Sequence, residues 1–157
     1  MAIEIKRGRK EDMQKVHDLI MELAIYEKAP EEMEVSVTEL QRDGFGAQPK
    51  FETFLAWEGN QVMGIAFFYE VYSTWKGSSL YLEDLVVSEQ HRQKGIGKLL
   101  FDAVAKEAAS RKHRRMRWQV LDWNEPAIQF YKKLGAEIDE GWYNGTLREE
   151  QLKSWLD

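Results

Sequence analysis

The sequence predicts a mixed α/β domain, a central sheet flanked by helices, on three observations. An apolar β-type run at residues 80–87 passes into a basic, glycine-punctuated turn, Arg92-Gln93-Lys94-Gly95-Ile96-Gly97, which opens a helix. A second strand-turn-helix unit follows, with the alternating Met116-x-Trp118-x-Val120 ahead of a helix over residues 124–134. Between residues 51 and 72, two aromatic-rich runs joined at Glu58-Gly59-Asn60 read as an antiparallel hairpin. With 157 residues, 43% of them hydrophobic, the chain has the length and apolar content for one packed domain over residues 1–157.

Taken in order, Ile3 and Ile5 alternate in a short first strand, and Val16, Leu19, Ile20, Leu23 and Tyr26 share one face of a helix of about sixteen residues. Ser36-Val37-Thr38-Glu39 has the capping-box pattern, so a second short helix runs to Asp43, ahead of Gly44. After the hairpin comes the strand at 80–87. Gly95 and Gly97 then free the backbone to turn with its N–H groups outward, and the helix from about residue 98 to residue 110 adds the positive end of its dipole. Such a turn cradles an anionic cofactor. The bare R-x-x-G-x-G is shorter than the dinucleotide fingerprint and lacks the Gly-Lys-Ser/Thr ending of a nucleotide P-loop, and by itself it equally fits an ordinary strand-to-helix turn with surface cations. In the next unit Asn124 reads as an N-cap, Pro126 sits in the first turn and Gly135 is the stop. Ala127, Ile128, Phe130, Tyr131 and Leu134 give it helical spacing. A strand around residues 138–147 and a short terminal helix over 148–156 complete the chain.

Composition removes several chemistries. With no cysteine there are no disulfides, thiolate metal sites or cysteine nucleophiles. His17, His91 and His113 lie in separate polar contexts without ligand spacing, so no metal is expected. Residues 1–6 lack the apolar run of a signal peptide and no stretch approaches 18 apolar residues, which points to a soluble, cytoplasmic protein without membrane contact. The net charge of −5 argues against general nucleic-acid affinity, which phosphate neutralisation drives. The basic run at residues 111–117 lies where a helix ends and a strand begins, so its cations complement the helix C-terminus.

Two further features carry possible chemistry. Glu83 and Asp84 are adjacent carboxylates inside an apolar strand, where alternation sends them to opposite faces and draws at least one out of water. Such a group needs backbone donors, a basic side chain or a cationic substrate, so a structural ion pair and a site role both remain open. Tyr131 lies on the apolar face of its helix, where core packing explains it as well as chemistry does.

The segment V-x-x-x-x-R-x-x-G-x-G, followed by N-x-x-A-x-x-F-Y-x-x-x-G, resembles the GCN5-related N-acetyltransferase (GNAT) superfamily. Within it, YLEDLVV, DWNEPAIQFYKKLGA and EGW resemble the spermidine/spermine N-acetyltransferase family, and YSTWKG with VLDWN its thialysine N-ε-acetyltransferase branch. The likeness runs from about residue 3 to residue 155. It implies parallel strands at Leu80 and Met116 that splay apart, with the pantetheine arm of acetyl-coenzyme A, the cosubstrate, in the gap. It maps pantetheine pairing onto the backbone of Leu85, Val86 and Val87, and pyrophosphate binding onto Gln93, Lys94, Gly95, Ile96, Gly97 and Lys98, with Arg92 as the supporting cation. Asn124, Glu125, Pro126 and Ala127 make further cofactor contacts. Glu83 takes the proton-accepting role through water, and Tyr131, also against the cofactor, that of general acid. Tyr26, Glu27, Trp75, Glu83 and Glu140 line the site of a small cationic amine. A homodimer, with contacts through the C-terminal strands and helix, is implied in the same way.

The chemistry asked of such residues is specific. An alkylamine with a pKa near 10.4 is mostly protonated at neutral pH, and freeing its lone pair costs about 4 to 5 kcal/mol. An enzyme must therefore supply a proton acceptor, and a donor for the leaving thiolate. One departure narrows the amine: Ser73 stands where the spermidine/spermine branch carries an aspartate, which weakens recognition of a distant second ammonium. Thialysine, lysine analogues and short diamines are the expected substrates. A protein or peptide lysine acetyltransferase and a non-catalytic acyl-coenzyme A sensor are the competing readings.

Overall fold

Five strands form one sheet in the order β1-β2-β3-β4-β5 in the computed structural model, which describes residues 2–156. β1 (Glu4–Arg7), β2 (Glu52–Glu58), β3 (Gln61–Ser73) and β4 (Gly77–Val87) are antiparallel neighbours, and β5 (Met116–Arg117) pairs parallel to β4. The two-residue turn Gly59-Asn60 closes the predicted hairpin, with Gly59 at a φ of 58°. The contacts divide the chain into two compact units, Met1–Gln119 and Val120–Asp157.

The first unit packs helices on both faces of its sheet. α1 (Met13–Tyr26) and α2 (Val37–Phe45) bury Met13, Val16, Leu19 and Leu40 against Leu55, Ile65 and Val86. α3 (Ile96–Ser110) buries Ile96, Leu100 and Val104 on the opposite face against Ala66, Phe68, Leu80 and Leu82. Each fully buried aliphatic side chain contributes about 1.5 to 3 kcal/mol. Ser36 caps α2 by accepting from the Glu39 N–H at 3.1 Å, as its pattern predicts, but the helix continues through the buried Gly44 to Phe45 rather than stopping at Asp43. α3 likewise starts two residues early, at Ile96, because the Ile96 side chain is core and its burial pulls the first turn back to Gly95.

Two strand expectations are corrected. β5 is two residues long rather than an alternating strand to Val120, because after Arg117 the chain leaves the ladder and Trp118 packs edge-on against Phe101 of α3 at 5.2 Å. From Leu82 onward β4 is therefore paired through β3 alone, the opening expected of splayed parallel strands. Residues 138–147 form no strand, since their own unit contains only helices, α4 (Glu125–Lys133) and α5 (Glu149–Lys153), and offers no ladder partner.

The basic run is also used differently from expectation. Arg111, at the end of α3, donates to Glu52 at 2.7 Å, Glu70 at 2.8 Å and Glu107 at 2.9 Å, tying α3 to β2 and β3. Burial opposes its charge, but these carboxylates hold its pKa above the ordinary value. Arg7 of β1 joins the same cluster through Glu52 and Glu107.

Candidate functional site

The sheet supplies the first element of the site through an irregularity. Opposite Phe67 of β3 stands Asp84, and opposite Phe68 stands Leu82, so Glu83 is an extra residue with no partner: a β-bulge. Leu80, Leu82, Leu85 and Val87 pack with the α3 face, whereas Val86, Phe67 and Tyr69 pack with the α1 face. Glu83 meets Tyr69, whose hydroxyl donates to its Oε1 at 2.5 Å, and Asp84 feels the charge of Glu27 at the end of α1. The bulge thus turns both carboxylates toward the α1 face, which corrects the expectation that alternation separates them.

Their environments differ. Glu83 is exposed and held by the Tyr69 hydroxyl, while Asp84 is half-buried and its carboxyl makes no hydrogen bond among the described residues. Burial, then the neighbouring charges of Glu83 and Glu27, push the Asp84 pKa from 3.8 up to about 7. Burial raises Glu27 as well. The phenol of Tyr69, ringed with Tyr81 at 5.5 Å, is raised by burial first and then by its bond to Glu83. None of the three carboxylates forms an ion pair among the described residues. A cationic guest is what such a cluster lacks.

The phosphate-cradle residues lie beside it in the same unit. Gln93 and Gly95 take positive φ values of 66° and 77°, and the backbone over Gln93, Lys94 and Gly95 is exposed at the start of a fifteen-residue helix. No atom lies within 4 Å of where a Gly95 side chain would begin, so the space over the turn is open to phosphate oxygens. Ile96 contributes backbone only, its side chain being core, and Lys98 reaches Asp102 at 2.7 Å. Leu85, Val86 and Val87 are also packed inward; their backbones pair with Ala66, Ile65 and Gly64 of β3 on one edge, and β5 does not reach them on the other. The Arg92 guanidinium stacks over Tyr26 at 5.2 Å, and Glu22 of α1 accepts from the Glu89 N–H at 2.8 Å, so α1 braces the cradle at two points.

The remaining candidates fall elsewhere. Trp75 stands 90% exposed at the β3–β4 turn, six residues of strand from Glu83 when counted from Gly77, or roughly 20 Å at about 3.3 Å per residue. It is not gathered with Glu27 and Glu83. In the second unit, Asn124 caps α4 through the Ala127 N–H at 3.4 Å, Glu125 and Pro126 form the exposed first turn, Tyr131 is buried with its ring against Phe130, and Glu140 is exposed in an irregular segment. Two open depressions, one lined by Lys15, Glu58 and Asn60 and the other by Ile5, Phe54 and Leu99, contain none of the predicted site residues. Sequence reading missed Asp84 and Tyr69 as site groups. The signal for Asp84 was present, two consecutive acids in an apolar strand, where regular alternation already draws at least one of them out of water.

The model of the acetyltransferase (GNAT) family matches residues 13–136. The chain belongs to that family. GNAT enzymes are N-acetyltransferases that take the acetyl group from acetyl-coenzyme A, and the open turn at Gly95 and the inward-packed Leu85 to Val87 suit that cosubstrate. Among curated proteins this GNAT chain is 35% identical to the thialysine N-ε-acetyltransferase of Mus musculus over 97% of its own length and 96% of that protein's. It is 39% identical to the L-ornithine N5-acetyltransferase of Arabidopsis thaliana over 68% of its length and 48% of that protein's. Its fold matches an integron cassette protein from the mobile metagenome of V. cholerae with a TM-score of 0.81 at 25% identity, covering 99% of this chain and 98% of that one. Among the described residues no helix is long and apolar enough to cross a membrane, and no group of three metal-ligating side chains is found.

Proposed function

We propose that this GNAT enzyme acetylates the primary amine of a small cationic substrate of the thialysine, lysine-analogue or short-diamine type. The observation that carries this reading is the cluster of Glu27, Glu83 and Asp84, three carboxylates on one face without an ion-pair partner among the described residues, next to a basic turn at a helix start. An ammonium entering there is attracted by the carboxylates, and Glu83 then takes its proton through a water. Tyr131 supplies the proton to the leaving thiolate. Tyr131→Phe removes only that proton, so coenzyme A binding persists while turnover falls on the order of 100-fold or more; normal turnover in the variant refutes the role.

The loop chemistry favours a short amine. Ser73 turns its hydroxyl back to accept from Trp75 N–H at 3.2 Å and Lys76 N–H at 3.0 Å, so it caps its own turn and offers no charge to a second ammonium. The relatives that acetylate thialysine and ornithine support the same size class. The test incubates the protein and acetyl-coenzyme A with thialysine, ornithine, putrescine, spermidine and a lysine peptide, following free thiol. Highest kcat/KM for the amino-acid amines is expected; a preference for the peptide, or no thiol release with any amine, overturns the reading.

We further infer a homodimer. Trp142, Tyr143, Trp155 and Leu156 of the second unit are 72% exposed or more, an apolar excess that a second copy of the chain would cover. Light scattering at a mass near twice 18.5 kDa is the expected result, and a monomer at assay concentration refutes it.

A further inference from the structure

We propose that Asp84 is the relay partner of Glu83, the carboxyl on which the amine's first proton comes to rest before the nitrogen attacks. This deepens the amine-acetyltransferase reading and rests on it. The geometry comes from the bulge. One surplus residue in β4 brings Asp84 onto the same face as Glu83, where a regular strand would place it on the other side of the sheet.

The two carboxyls then divide the work by their surroundings. Glu83 is exposed to the guest and accepts from the Tyr69 hydroxyl at 2.5 Å, a bond that fixes the direction of its carboxylate. It suits an ammonium anchor that passes a proton on. Asp84 is half-buried, and among the described residues its carboxyl makes no hydrogen bond and is paired with no cation. The groups that face it are Glu83 on its own strand, Tyr69 on β3, Tyr81 beside them and Glu27 from the end of α1; burial and the charges of Glu83 and Glu27 favour its neutral form, and neither phenol brings a positive charge to oppose them. Its proton affinity near neutrality is that of an effective base at working pH.

The step balances as follows. The ammonium R-NH3+ gives one N–H proton, through water, to the Glu83 carboxylate, and that proton passes through a second water to the Asp84 carboxylate. This leaves R-NH2 with its lone pair, Glu83 ionised again and Asp84 neutral. The nitrogen forms the C–N bond at the thioester carbonyl carbon, the C–S bond breaks, and the second N–H proton ends on the departing sulfur. The products are the amide and the free thiol, and Asp84 returns its proton to water. A residue placed in this way acts through Glu83, so a loss of activity alone does not identify it.

The test is the ratio of kcat/KM between the native enzyme and Asp84→Asn, measured from pH 6 to pH 10 with whichever amine of the panel releases thiol fastest. A relay role makes the ratio large at neutral pH, about 10- to 100-fold, and shrinks it to about threefold or less as pH reaches the amine's own pKa, where no acceptor is needed. A ratio that stays constant with pH, or an Asp84→Asn enzyme equal to native at pH 7, overturns the proposal. Should Asp84→Asn fail to fold, Tyr69→Phe probes the same couple. With that donor removed, the Glu83 carboxylate is no longer held in place beside Asp84, and kcat/KM falls more at neutral pH than near the amine's own pKa. A profile superimposable on that of the native enzyme overturns the relay. If the native protein releases thiol with no amine, the acetyltransferase reading itself fails; native turnover with a pH-independent ratio sinks the relay alone.

Discussion

Asp84→Asn is expected to raise the stability of the protein, and to raise it most at alkaline pH. The native carboxyl has its pKa pushed from 3.8 to about 7 by burial and by Glu83 and Glu27. The folded state therefore binds more protons than the unfolded one between those values, and stability falls as pH rises through that window. At pH 8 the full penalty is on the order of 4 kcal/mol at 1.36 kcal/mol per pH unit, of which about 3 kcal/mol accrues above pH 5. Relaxation and water entry reduce this, so a gain of about 1 to 3 kcal/mol between pH 5 and pH 8 is the working figure. Asparagine keeps the shape and stays neutral, and for a chain of this size the gain corresponds to roughly 3 to 8 °C in Tm. Calorimetry of both proteins at pH 5 and pH 8 measures it. A Tm difference that is no larger at pH 8 than at pH 5 refutes the assignment of Asp84 as a desolvated acid.

Two other perturbations test the frame around the site. Gly95→Ala meets no atom within 4 Å, so its cost of about 1 to 2 kcal/mol is purely that of the left-handed backbone at a φ of 77°; a raised KM for acetyl-coenzyme A with little change in kcat is expected, and a KM equal to native refutes the cradle role. Arg111→Met leaves Glu52 and Glu107 with Arg7 alone and Glu70 beside His113, and lowers stability by about 1 to 3 kcal/mol in urea unfolding, with a smaller loss at low pH, where the carboxylates are neutral; an unchanged midpoint shows the cluster to be ornamental.

Features encoded over a few residues were legible in the sequence. The caps at Ser36 and Asn124 and the Gly59-Asn60 turn depend on neighbours within four positions, and the structure has them where the pattern places them. What escaped depends on partners far away in the chain. The bulge at Glu83 is a matter of register against Phe67 and Phe68, sixteen and fifteen residues earlier, and one surplus residue undoes any inference from alternation. Arg111 reads as a surface cation because its partners Glu52 and Glu70 lie 59 and 41 positions upstream. Residues 138–147 have strand composition, yet composition cannot provide the neighbouring ladder that a strand requires.

The surplus residue in β4 has a consequence for how such a protein could be reshaped. Excising position 83 would leave Leu82, Asp84, Leu85 and Val86 in unbroken inside-outside order, a tidier ribbon with every aliphatic contact intact. The scaffold has no need of this glutamate. If Glu83 has the role proposed above, a lineage that lost it would keep its shape while parting with its reactivity, and this one surplus residue would separate a catalyst from a look-alike.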